Sequence, residues 1–173
     1  MVVINVGPLI HGSQGTRESS PLNVRFSLEE GDPAVVMAPL TGTLELIKLP
    51  HELAVIIHDL QTTLSLTCSR CVKSYDWELH IPVLEREFLI DLPKDELDPD
   101  EDVFQIDTKT SELHLDDLLR EEILLHFPIV SVCSESCKGL CPRCGIDKNT
   151  AQCDCTPPSD SPLSGLKELL SNH

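Results

Sequence analysis

Only six of the 173 residues are aromatic (four Phe, one Trp and one Tyr). Large rings usually dominate core burial, so this core has to be aliphatic or be helped by something besides packing. Basic residues are also scarce: 13 Lys and Arg face 29 Asp and Glu, a formal charge of −16. Such a balance excludes an autonomous grip on nucleic-acid phosphates, because that affinity comes from Lys and Arg displacing counterions. It predicts basic partners instead. No run of about 18 apolar residues is present, which excludes a membrane-spanning helix and a membrane partner. The opening Met1-Val-Val-Ile-Asn-Val-Gly-Pro8 lacks the basic leader and cleavage site of a signal peptide and the Arg- and Ser-rich pattern of a transit peptide. A cytoplasmic chain is therefore expected, in a compartment that keeps thiols reduced.

Catalytic motifs are missing as well. There is no Walker loop, dinucleotide-type glycine motif or nucleophile elbow. The seven histidines, His11, His51, His58, His80, His114, His126 and His173, are dispersed, and His51-Glu52 lacks the second His of H-E-x-x-H. Gly12-Ser-Gln-Gly15 reads as a loop, and Tyr75 and Trp77 as core residues on a strand.

What is present reads as an α+β chain, mainly an antiparallel, barrel-like sheet. Leu22, Val24, Phe26 and Leu28 alternate with polar residues, and residues 44–49, 53–57 and 61–67 carry β-type runs. Tyr75, Trp77, Leu79 and Ile81 fall on one face, and the pattern resumes after Pro82 through Phe88 and Ile90; a proline there predicts a bulge or an edge. Five or six strands are expected. Residues 85–122 hold 15 acidic and 4 basic residues, most of the net charge, with a solvated loop at 92–102. Leu118, Leu119 and Ile123 then stand at helical spacing, predicting an acidic amphipathic helix near 116–126, capped by Asp116 or Ser111 and ended by Pro128. The expected organisation is a β-rich body over 1–132, a Cys-rich segment over 133–155 packed on it, and a linker with a short Leu-rich helix over 156–173.

All eight cysteines stand in close pairs: Cys68 and Cys71, Cys133 and Cys137, Cys141 and Cys144, Cys153 and Cys155. A C-x-x-C turn aims two thiolates at one point, which suits tetrahedral zinc, and Gly145 after one such pair predicts a positive φ. Eight ligands make two sites of four. One division groups Cys141, Cys144, Cys153 and Cys155 across a short loop, leaving Cys68 and Cys71 to join Cys133 and Cys137; the low entropy of closing that loop favours it. The other joins Cys68 and Cys71 to Cys141 and Cys144 as a ribbon of two equal knuckles. Disulfides require a different compartment, and a redox C-x-x-C requires a helix N-terminus, whereas Cys68 stands between strands. Closed thiolate sites leave no position for water, so the zinc reads as structural, contributing on the order of 10 kcal/mol to a thin aliphatic core.

Cys68-Ser-Arg-Cys71 in a β-rich half, Phe127-Pro128-Ile-Val after a Leu-rich helix, then Cys133, Cys137-Lys-Gly-Leu-Cys141-Pro-Arg-Cys144-Gly145 and Cys153-Asp-Cys155 together resemble the YceD-like family, the large ribosomal RNA subunit accumulation proteins. The resemblance runs from about Leu22 to Leu170. It implies a non-enzymatic role in accumulation of the 23S ribosomal RNA and biogenesis of the large subunit. It also implies that branches lacking the later four cysteines keep the counterparts of Cys68, Cys71, Cys133 and Cys137, which favours the first division. Zinc loading would take the formal charge to about −20, so the expected partner is a basic ribosomal protein or an assembly factor, with rRNA contact secondary. Arg70, Lys73, Lys138, Arg143 and Lys148 are expected to sit beside the thiolate clusters more than to read phosphates. An RNA-processing hydrolase or a thiol redox protein is the alternative.

Overall fold

The computed structural model describes residues 1–90, 104–106 and 109–155. The expected solvated loop at 92–102 and the linker and helix beyond 155 lie outside the described residues. Elements run in the order β1 (Val3–Asn5), α1 (Gly7–Ile10), β2 (Arg17–Val24), β3 (Ala34–Val36), β4 (Leu40–Lys48), β5 (Glu52–Thr67), β6 (Ser74–Leu89), β7 (Glu112–His114) and α2 (Asp116–Leu125). Strands β2 to β6 form one antiparallel sheet curled into a half-barrel, and β1 pairs with β7 in a second, two-stranded sheet.

The curl has a local cause. β5 and β6 pair over their whole sixteen-residue lengths. β5 buries Leu53, Val55 and Ile57, then switches phase to bury Leu60, Leu64 and Leu66; β6 buries Leu79 and Ile81, then switches to Leu84 and Phe88. The two switches face each other, because Ile57 pairs with Leu84 and Leu60 with Ile81. On its other side β5 meets β3 and β4 end to end, and β4 has no matching extra residue: Thr41 pairs with Gln61 but Thr43 with His58. The surplus residue in β5 is Asp59, at φ 51°. Such an insertion bends the strand and sharpens its twist. Gly42 lies opposite, where a Cβ would come within 2.9 Å of the His58 carbonyl oxygen. Pro82 is tolerated because it sits at this bulge on a strand whose full-length pairing is with β5 alone.

The core is aliphatic, as the scarcity of rings requires. Phe88 is the one aromatic among the described residues that is fully buried, flanked by the half-buried Phe104 at a centroid distance of 5.1 Å. Trp77 and Tyr75 pack at the edge of that core, Trp77 edge-on to Phe127 at 6.5 Å. α2 lays Leu118, Leu119 and Ile123, all at 0% exposure, into it.

The acids of α2 do not form a single exposed face. Asp116 makes no side-chain cap; its two carboxylate oxygens accept the Val2 N–H at 3.1 and 2.9 Å and tie down β1. Glu122 is buried and paired with Arg86 at 2.7 Å. Arg120 on the same helix forks onto Asp32 at 3.0 and 2.8 Å. Only Asp117 and Glu121 point outward. The helix ends at Leu125, where the His126 ring donates from Nδ1 to the Glu122 carbonyl at 2.8 Å, three residues before Pro128.

Candidate metal centres

Two turns of the same construction present the first and third cysteine pairs. After β5, Cys68 N–H donates to Lys73 O at 2.9 Å and Val72 N–H returns to Cys68 O at 2.9 Å; in the second turn Cys141 N–H donates to Ile146 O at 2.8 Å and Gly145 N–H to Cys141 O at 2.9 Å. This frame forces a left-handed residue after the second cysteine of each pair. Gly145 takes it at φ 73°, as expected, and Val72 takes it at φ 58°. A β-branched residue there is strained.

The chain after α2 comes back to the first turn. Ser69 donates to the Ser131 carbonyl from its N–H at 2.7 Å and its hydroxyl at 2.8 Å, and Tyr75 shares a hydrogen bond with the Ser131 hydroxyl at 2.9 Å. Arg70 donates to the Glu135 and Cys137 carbonyls at 3.1 Å each. These contacts deliver Cys133 and Cys137 to Cys68 and Cys71. The Sγ atoms of Cys68, Cys71, Cys133 and Cys137 lie within 4.8 Å of one another, and so do those of Cys141, Cys144, Cys153 and Cys155. The sulfurs are grouped by the short-loop division, and the two equal knuckles serve different groups.

The donor set fits a metal ion. Metal–thiolate bonds of about 2.3 Å in a tetrahedron hold sulfurs about 3.8 Å apart, and Cys68 to Cys137 and Cys71 to Cys133 measure 3.9 and 3.8 Å. All eight are free thiols. Backbone N–H groups of Cys133, then Cys71 and Arg70, point at Cys68 and bring its thiol down to about 6, while Cys137, pressed beside Cys133, pushes that thiol up to about 12. The second cluster repeats the pattern. The N–H groups of Cys144 and Arg143 lower Cys141 to about 6, and Cys144 beside it raises Cys155 to about 12. Four sulfurs this close cannot all ionise unaided; a cation between them supplies the missing compensation.

The cations near the clusters divide in two. Arg70 donates to two backbone carbonyls, and Lys73 pairs with Asp147. Lys138, Arg143 and Lys148 are exposed and form no ion pair among the described residues. Asn149, which spacing alone does not single out, donates from Nδ2 to Cys137 Sγ at 3.5 Å.

Residues 58–170 match the family described as large ribosomal RNA subunit accumulation protein YceD, a span that contains both sulfur clusters and two thirds of the chain. The chain belongs to the YceD family. The match begins within β5, so β1 to β4, including the part after Leu22 expected from the resemblance, lie outside it. Among relatives, the chain is 33% identical over 98 residues to large ribosomal RNA subunit accumulation protein YCED homolog 1, chloroplastic, of Zea mays, covering 55% of this chain and 25% of that protein. It is 28% identical over 74 residues to the protein of that name in Arabidopsis thaliana, covering 40% and 23%. The chain thus spans about a quarter of the length of these YceD relatives. No solved structure matches it. Among the described residues no helix is long and apolar enough to cross a membrane.

Proposed function

We propose that this YceD-family chain is a non-enzymatic factor supporting accumulation of the 23S ribosomal RNA and biogenesis of the large ribosomal subunit, that two structural zinc ions stabilise it, and that it acts through a basic ribosomal protein or an assembly factor. Family membership supports the ribosomal role. The observation that carries the rest is the pair of closed four-sulfur clusters, Cys68, Cys71, Cys133, Cys137 and Cys141, Cys144, Cys153, Cys155. Thiolate-only sets suit zinc and leave no open position for substrate or water.

Charge supports a protein partner over naked RNA. Arg17, Lys73, Arg86 and Arg120 are paired internally, while Asp76, Glu78, Glu85 and Glu87 of β6 face solvent. An encounter between such a surface and a basic protein is fast and weakens with salt. The test is direct binding of the purified chain to a basic large-subunit ribosomal protein and to a 23S rRNA fragment at physiological salt. Tighter, salt-sensitive binding of the protein is expected; tighter binding of the RNA overturns this reading. Thiol titration separates the redox alternative: thiols masked until a chelator is added support structural zinc, and reactive thiols in the metal-loaded chain oppose it.

A further inference from the structure

The two sulfur clusters share ligand-supporting groups. Residues 145–152 connect the two halves of the second cluster, yet their side chains hold the first. Asn149 donates from Nδ2 to Cys137 Sγ at 3.5 Å, and its Oδ1 accepts the Lys138 N–H at 2.8 Å. Asp147 fixes that carboxamide: its Oδ1 accepts Asn149 N–H at 2.9 Å and Nδ2 at 2.7 Å, while its Oδ2 pairs with Lys73, two residues after the first knuckle. The Asp147 side chain is only 13% exposed. Backbone joins the same pieces. Leu140 N–H donates to Arg70 O at 3.0 Å and Lys148 N–H to Gly139 O at 2.9 Å.

We propose that the two clusters take up metal as one cooperative unit, with Asn149 and Asp147 as positioning residues through which an ion at Cys141, Cys144, Cys153 and Cys155 raises the affinity of the other cluster. This rests on the metal reading given above. The physical reason is ordering. Residues 145–152 lie between ligands of the second cluster, so an ion there fixes the segment that aims Asn149 at Cys137. The first cluster then binds without meeting that entropy cost again. The coupling is reciprocal, since each ion must strengthen the other by the same factor. Groups that support ligands in this way change metal affinity by about 10- to 100-fold when removed.

The experiment is a cobalt(II) titration of the full chain, followed by thiolate-to-cobalt charge-transfer absorption and by chelator-driven release. Unsubstituted chain, Asn149→Ala, Lys148→Ala and the pair Cys153→Ser with Cys155→Ser are compared. Two equivalents are expected to bind in one transition in the unsubstituted chain and in Lys148→Ala, whose side chain is exposed. Asn149→Ala is expected to split uptake into two steps, with the Cys68 cluster weakened about 10-fold or more, and the double serine chain to show its remaining ion weakened likewise. A substitution that merely lowers general stability leaves uptake in one transition. Two independent steps in the unsubstituted chain, unmoved by Asn149→Ala, overturn the coupling while leaving the metal reading in place. Absence of charge-transfer absorption in the unsubstituted chain overturns the metal reading and the coupling with it.

Discussion

Gly139 and Gly145 separate two costs that are usually mixed. Both residues are left-handed, at φ 68° and 73°, so alanine at either meets the same backbone penalty of about 1–2 kcal/mol, offset in part by the reduced freedom of the unfolded chain, leaving about 1 kcal/mol. Their surroundings differ. A Cβ at Gly145 meets nothing within 4 Å, whereas at Gly139 it lies 2.8 Å from the Arg70 carbonyl oxygen and 3.3 Å from that residue's carbonyl carbon and Cβ. The obstacle is mostly backbone, and the oxygen is the acceptor of the Leu140 N–H. Moving it back to ordinary contact at about 3.5–4.0 Å stretches that hydrogen bond, worth about 1 kcal/mol, and strains the packing by about 1 kcal/mol more. Gly139→Ala is therefore expected to cost about 3 kcal/mol and Gly145→Ala about 1 kcal/mol. Urea unfolding followed by Trp77 fluorescence measures both, with comparable slopes required for the comparison. Losses equal to within about 0.5 kcal/mol would refute the close approach of Gly139 to the Arg70 carbonyl.

Other outcomes follow from single contacts. Arg86→Leu strands the buried Glu122 carboxylate and is expected to cost about 3 kcal/mol in urea unfolding, largely recovered when Glu122→Leu is added; no recovery argues against the pair. The Arg120 guanidinium holds the Asp32 carboxyl below its ordinary range. Its contribution is thus complete above the unfolded carboxylate value of about 3.9 and is lost as pH falls through the lower folded value. Arg120→Leu should lower stability at neutral pH and flatten the acid limb of the profile, and an unchanged acid slope would count against this. Because the Cys68 thiol sits at about 6, metal uptake by the first cluster at about pH 7.5 should release fewer than four protons. An indicator dye in weak buffer counts them, and four per ion is the contrary result. Chelator treatment should lower the urea midpoint steeply, since such sites carry on the order of 10 kcal/mol of folding free energy.

Sequence reading reached furthest where periodicity or spacing carried the information. The odd-numbered apolar positions Tyr75 to Ile81 giving way to Phe88 and Ile90 after Pro82 already contain the phase switch of β6. The short loop between Cys144 and Cys153 indicated how the sulfurs divide. Its limits are equally physical. The runs at 53–57 and 61–67 read as two because Asp59 breaks the alternation, yet β5 is continuous, since paired insertions in two strands preserve their hydrogen bonds. The alternation of Leu22, Val24, Phe26 and Leu28 continues past the strand, which ends at Val24. α1 is a single turn behind Pro8, too short for any period. The acids of α2 read as a solvated face because Arg86 and Asp32, the residues that engage Glu122 and Arg120, are distant in sequence. No period or ligand spacing marks Asn149; its role depends on a contact with Cys137 that loop spacing does not encode.

The facing phase switches in β5 and β6 make the sheet sensitive to length in an unusual way. Deleting Asp59 alone leaves Pro82 unmatched in β6, so the β5–β6 ladder has to take up a one-sided bulge like that between β4 and β5, or half of it slips by one residue and turns Leu60, Leu64 and Leu66 or their counterparts toward solvent. Deleting Pro82 alone does the same from the other strand. Removing both restores unbroken alternation in each strand, keeps Ile57 opposite Leu84 and Leu60 opposite Ile81, and brings β5 into step with β4, where Thr43 and Thr41 already flank a single residue. What disappears is the bend. Chain length at this point is therefore a paired variable: a single deletion leaves one strand with an unmatched residue, a matched pair of deletions leaves none, and the curvature of the half-barrel is set by two residues that face each other across the ladder.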